Sequence, residues 1–213
     1  MELFLKWALM ASVQLAATMS PGPAFVVSVR NSMAHNRSVG VFTALGLSLG
    51  VAAHVVFVLA GISLIIAQSV FLFNFIKYAG AAYLFYIGLK ALFFSKKRES
   101  DAGVQDDSAP NQKGAMSARK AVVNGFLTNL LNPKAVVFFT AVYTQFIGID
   151  TPFFMHMAYG LTSISIEFLW FAGVAVVLTN SRVKAKFMRV MHWIERGCGG
   201  LMIGLGVKLA FTK

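Results

Sequence analysis

Two ionisable side chains lie deep inside apolar runs of this chain, where neither belongs by default. Lys134 follows Pro133 in Asn132-Pro133-Lys134-Ala135, and Glu167 closes Ser163-Ile164-Ser165-Ile166-Glu167. An ammonium at such depth costs about 2.5–3.5 kcal/mol on insertion scales unless it is paired or hydrated. Lys134 therefore reads as a group that attracts a carboxylate, or as the structural partner of an acid. Glu167 is paired with Lys134, protonated, or exposed to a polar cavity. Each option places it in the protein interior, where carrying a proton is the natural role. His54, also within an apolar run, is a second candidate for that role, since imidazole is a side chain suited to exchanging protons. Its competing reading is a hydrogen-bonded packing residue. Lys90 and Lys208 sit near run ends, where a long side chain reaches the interface.

Prolines disturb the same runs. Pro21-Gly22-Pro23 lies inside the first, and Asn132-Pro133 inside the fourth, among Asn124, Thr128 and Asn129. Proline removes a backbone donor and breaks the helical ladder. Opened backbone is tolerated at membrane depth only where it is buried in protein or lines a wet cavity. Both helices should therefore be discontinuous and face inward, with some of the asparagines satisfying the freed carbonyls. A half-helix N-terminus, with its unpaired N–H groups and positive dipole end, suits a carboxylate. The expected substrate-binding set is thus Pro21, Gly22, Pro23, Asn129, Asn132, Pro133 and Lys134, with Glu167 and His54 as the proton-coupling pair. The set holds no catalytic constellation, no metal cluster and no cofactor motif.

The elements that must position these residues follow from the composition. The chain has 213 residues, 57% hydrophobic and 13% charged, with a mean hydropathy of +0.70. Six apolar runs reach the roughly 20 residues that cross a bilayer: Leu3–Val29, Gly40–Ala67, Phe71–Phe94, Ala121–Ile147, Phe153–Thr179 and Val190–Phe211. They leave no room for a soluble catalytic domain. The net charge of +11 does not form a nucleic-acid face. Arg30 and Arg37 follow the first run, Lys96, Lys97, Arg98, Lys113, Arg119 and Lys120 flank the third and fourth, and Arg182, Lys184, Lys186 and Arg189 follow the fifth. The other connections hold little charge, Lys77 in one and Asp150 in the other. Positive loops stay cytoplasmic, so both termini are expected outside. The polar stretch 95–118 reads as a cytoplasmic linker.

The chain also says much the same thing twice. Ile76, Gly88, Lys90 and Phe93 recur in order as Ile194, Gly206, Lys208 and Phe211, and small residues stack at 79–82 and at 197–200. The Pro21 and Pro133 breaks correspond, and so do Gly46 and Gly160. With three runs per half, the second repeat must enter the membrane upside down. The expectation is an all-α membrane protein of six transmembrane helices in two inverted-topology repeats, with helices 1 and 4 broken at proline. Residues 1–94 form the first repeat and 119–213 the second. Internal duplication of this kind marks secondary transporters, whose substrates sit at the repeat interface. Lys134 and Glu167 have no charged counterparts in the first half.

Other readings are weaker. Lys6 and the apolar run to Leu15-Ala16-Ala17 resemble a cleavable leader, but Glu2 weakens its positive start and the run continues beyond the cut. Cys198, the single cysteine, reads as a small packing residue. Gly204-x-Gly206 follows no strand, which argues against a nucleotide loop. A metal exporter would need clustered ligands, and a membrane enzyme a nucleophile–base pair.

Several segments together resemble the LysE/RhtB family of bacterial amino-acid exporters. They are Ser20-Pro21-Gly22-Pro23 with Arg30-Asn31-Ser32, Ala44-Leu45-Gly46-x-x-x-Gly50 with His54, the run from Ala79 through Tyr83, Tyr86 and Gly88 to Lys90, and Asn129-Leu130-Leu131-Asn132-Pro133-Lys134-Ala135. The likeness spans nearly the whole chain. It implies efflux of amino acids or close relatives across the bacterial inner membrane, driven by proton exchange. The expected mechanism is proton antiport with alternating access, and the expected partners are a small amino acid and the lipid bilayer, with no nucleic acid and with room for a homo-oligomer. Relatives often carry Asp or Asn directly after Pro-Gly-Pro and an acid soon after the equivalent of Gly50. Here those positions are Ala24, Val51 and Ala52, which shifts the burden to Glu167 and favours a neutral substrate.

Overall fold

Local chemistry ends the first helix where the chain meets its prolines. In the computed structural model, which describes residues 1–68, 116–147 and 151–178 throughout and parts of 75–93 and 190–207, helix α1 runs Glu2–Met19. Ser20 then turns extended (φ −71°, ψ 129°), as the residue before a proline prefers. Helix α2, Pro23–Ala34, starts with Pro23 in its first turn, where a missing N–H costs nothing. The same device recurs later. Helix α4, Ala118–Leu130, is opened by Ser117, whose hydroxyl accepts from the Lys120 N–H. Asn132 is extended before Pro133 (φ −78°, ψ 110°), and Pro133 starts helix α5, Pro133–Phe146. The two pairs bend by 57° and 60°. Between and after them, α3 (Arg37–Gln68) and α6 (Phe153–Leu178) run unbroken.

By length and hydropathy, α3 over Arg37–Gly61 and α6 are long and apolar enough to cross a membrane, and each bent pair passes the same test as a unit. The described parts of the third and sixth apolar runs are helical, and no strand occurs among the described residues. Most of the linker (95–115), with Lys77, Asp150 and Lys208, lies outside the described residues. Lys90 is exposed and holds its ammonium 5.7 Å from the centroid of the Tyr86 ring.

Small residues bring backbones together, as they must where lipid supplies no hydrophobic drive between helices. A Cβ on Gly46 of α3 would collide with the Val122 carbonyl of α4, and one on Gly125 of α4 with the Thr43 carbonyl of α3. Two aligned glycines make a reciprocal contact. A Cβ on Gly88 would lie 2.7 Å from the Gly199 carbonyl and 2.6 Å from Ile203, while one on Gly206 would lie 2.9 Å from the Ala81 carbonyl and 3.1 Å from the Phe85 nitrogen. The offset of 118 residues that carries Gly88 onto Gly206 also carries Ala81 onto Gly199 and Phe85 onto Ile203. The two segments thus present the same surface to each other. Cys198 is buried there, as a packing residue should be.

The apolar core gathers Met10, Val13, Val51, Phe138, Val142 and Tyr159 from α1, α3, α5 and α6. Val56, Phe57, Leu161 and Leu169 point outward, each more than 60% exposed. On a water-soluble protein they would form a sticky patch; on a membrane helix they face lipid.

Candidate functional site

The ends of α1 and α4 and the starts of α2 and α5 converge on one small cavity, about 40 Å³, which has room for a few waters. Its polar lining is Gln14, Thr18, Ser20, Asn129, Asn132, Lys134 and Glu167; Phe138, Phe139 and Phe171 form apolar walls. Gly22 stands at its rim as the residue before α2. Its φ of −173° is open to any residue, so the absent side chain matters for room: a Cβ would already lie 3.4 Å from the Lys134 side chain.

Lys134 crosses from one broken pair to the other. Its Nζ donates to the Ala17 carbonyl at 3.0 Å and the Ser20 carbonyl at 2.8 Å. These groups end α1, where four carbonyls lack helical partners and the dipole is negative. The sequence suggested asparagines for this task, but they serve elsewhere. Asn132 caps α5, its Oδ1 accepting from the Lys134 N–H at 3.0 Å. Asn124 Oδ1 accepts from Asn31 Nδ2 of α2 at 3.0 Å. A carbonyl ending a helix needs a donor that can reach across the break, and the lysine stem has that length.

Glu167 is buried, and each of its oxygens accepts a hydrogen bond: Oε2 from Thr18 Oγ1 at 2.8 Å, Oε1 from Asn129 Nδ2 at 3.1 Å. Asn129 Nδ2 also donates to the Leu47 carbonyl at 2.7 Å. His54 lies on the far side of Asn129, with Nε2 3.0 Å from the Asn129 carbonyl and its ring stacked on Phe139 at 5.6 Å. A carbonyl only accepts, so Nε2 carries the proton. His54 also borders a wider groove of about 380 Å³ with Phe57, Val58, Val136 and Thr140.

The expected site residues therefore come together unequally. Asn129, Asn132, Lys134 and Glu167 share the cavity, Gly22 edges it, and His54 stands one residue behind. Pro21 sits in the break, while Pro23 and Pro133 are exposed helix starters that shape the site without lining it. Sequence reasoning passed over Gln14 and Thr18. Their signal was present: two polar residues four apart share a helix face in the last turns of a helix that ends at the break. Among the described residues, no three His, Cys, Asp or Glu side chains gather as a metal site.

A family model for LysE type translocators matches residues 15–213. A threonine efflux protein of Salmonella typhi is 30% identical over 205 residues, covering 95% of this chain and 96% of its own. The threonine efflux protein of Escherichia coli (strain K12) is 29% identical over 203 residues, with the same coverage. A membrane protein of Bacillus subtilis (strain 168), YrhP, is 30% identical over 214 residues, covering 96% of this chain and 99% of its own. No solved structure matches the chain.

Proposed function

Because the chain belongs to the LysE-type translocator family, we propose that it exports a small neutral amino acid of threonine type across the bacterial inner membrane, by proton antiport with alternating access. The observation that carries this reading is the cavity between the two bent helix pairs, whose lining brings together one cation, one carboxyl and an open helix N-terminus.

A zwitterion needs the same set in reverse. Its carboxylate fits the start of α2, where Gly22 has no side chain to cap the helix and Pro23 has no N–H. The Ala24 and Phe25 N–H groups, both on cavity-lining residues, remain as donors, with the positive dipole end behind them and Lys134 beside them. Its ammonium belongs at the Glu167 side. A hydroxyl or methyl side chain suits the phenylalanine walls, and one carboxyl in the lining leaves no second partner for a cationic side chain. At about 40 Å³ the cavity suits an occluded state that widens to take a substrate, as alternating access requires.

Glu167 is the proton carrier in this reading, and His54 holds Asn129 against it. The chain crosses the membrane six times as two inverted repeats, with 95–118 as cytoplasmic linker and both termini periplasmic. This arrangement is supported by the basic connections, the matched bends and the reciprocal contact of Gly88 and Gly206. The test is efflux of labelled threonine and other neutral amino acids from vesicles holding purified protein. Acidifying the trans side is expected to accelerate release. Release of no amino acid under any gradient would overturn the proposal.

A further inference from the structure

Gln14 lines the cavity and is 2% exposed. Its Nε2 donates to Thr18 Oγ1 at 3.2 Å, and its Oε1 is buried with no hydrogen-bond partner among the described residues. A buried acceptor left without a donor forfeits the hydration it had in water and gains nothing in return. We propose that Gln14 Oε1 receives the α-ammonium of the exported amino acid, and that Glu167, acting through Thr18, decides whether this acceptor faces the substrate. The inference rests on the exporter reading above and deepens it.

The hydrogen bonds leave little freedom. Both hydrogens of Asn129 Nδ2 are committed, one to the Leu47 carbonyl and one to Glu167 Oε1. A carbonyl cannot donate, so the Asn129 amide cannot turn over. Oε1 is thereby held as an acceptor, and a proton arriving at Glu167 must settle on Oε2, facing Thr18.

A hydroxyl has one hydrogen to give. With Glu167 ionised, Thr18 donates to Oε2 and accepts from Gln14 Nε2, leaving Gln14 Oε1 for a cation. With Glu167 protonated, Oε2 donates to Thr18 Oγ1, which frees the Thr18 hydrogen to turn toward Gln14. The amide then reverses, Oε1 accepting from Thr18 and the NH₂ group facing the cavity. A half-turn of a terminal amide keeps its shape and exchanges acceptor for donor. The ionised state welcomes an ammonium, and the protonated state opposes it with a donor. Proton and substrate therefore exclude one another without meeting at one atom, as antiport demands.

The other charged groups around Glu167 do not undo this. Lys134 of α5 is bonded to the α1 carbonyls, and His54 of α3 faces the Asn129 carbonyl of α4. Helix α1 supplies neutral Gln14 and Thr18, and the break with the start of α2 supplies Gly22, Ala24 and Phe25.

Purified protein in phospholipid vesicles, with labelled threonine as substrate and 3-hydroxybutanoate as an amine-free competitor, tests the proposal. In the wild type, KM for threonine is expected to rise as the site is acidified, while inhibition by 3-hydroxybutanoate does not weaken. Gln14→Met should raise KM roughly tenfold or more and shrink the preference for threonine over the competitor. Thr18→Val should flatten the pH dependence of KM. The preference is a ratio within one protein, so it does not depend on how much variant inserts, and the wild-type comparison requires no variant. A wild type whose affinity for both compounds weakens equally on acidification would overturn the proposal. So would Gln14→Met with wild-type KM and preference, which leaves the exporter reading intact. Vesicles in which even the wild type moves no amino acid would remove the exporter reading itself, and this inference with it.

Discussion

Lys134 Nζ lies 2.8 Å from the carbonyl oxygen of Ser20, so a cation on the first turn of α5 closes the open end of α1, on the other bent pair. One side chain thereby closes the end of α1 and holds the two breaks together at the cavity.

Replacing Lys134 with Met should leave the Ala17 and Ser20 carbonyls without their charged donor. Each such bond is worth about 1.5–3 kcal/mol, so a clear drop in the melting temperature of the detergent-solubilised protein is expected, along with loss of most efflux. Lys134→Arg keeps a donor, and should melt closer to the wild type than Lys134→Met. Equal melting of Lys134→Met and wild type would show that the bridge contributes nothing.

Glu167→Gln removes the titrating group while preserving a side chain of the same shape. Efflux by this variant should no longer respond to a pH gradient, and exchange of labelled for unlabelled amino acid should persist only at a raised KM, because an amide there donates to Thr18 as the protonated carboxyl does. The ionised carboxylate takes up the proton as pH falls, so the wild type should be driven by acid on the trans side and the variant should not. Vesicle flux at matched and unmatched pH decides it, and a gradient-driven variant would shift proton carriage to another group.

His54 acts on Glu167 only through Asn129. His54→Gln, which can still donate to the Asn129 carbonyl, is expected to keep the pH profile of transport. His54→Leu should lower the rate by about tenfold, the loss of roughly one good hydrogen bond, without moving the profile. A displaced profile in both variants would make the imidazole itself a proton carrier.

The glycines divide by what surrounds them. Gly125→Ala would drive a Cβ into the Thr43 carbonyl of α3, whereas a Cβ on Gly173 meets nothing within 4 Å. Overpacking costs about 1–3 kcal/mol, so Gly125→Ala should melt well below the wild type. Gly173→Ala should melt at or above it, since alanine is the better helix residue by about 1 kcal/mol. Gly88→Ala and Gly206→Ala should both destabilise, their contacts being reciprocal. Thermal unfolding of the four variants side by side is the measurement.

Much of this protein was legible before any fold was known, because the signals are local. A run of apolar residues is long enough to span a bilayer or it is not. A proline ends a helix through its own ring, so the breaks could be placed to within a few residues, although α2 restarts at Pro23 rather than Pro21. A lysine or glutamate in an apolar run declares an interior role, because insertion penalises charge wherever it falls. What those charges touch is not local. Lys134 meets carbonyls more than a hundred residues away, and Glu167 meets Thr18 on the first helix and Asn129 on the fourth. Gln14 carries no local mark of a role; its importance follows from Thr18, whose hydrogen goes to Glu167. Spacing along one helix says which residues share a face. Only the packing of separate helices decides which donor meets which acceptor, and among buried polar groups those pairings set the chemistry.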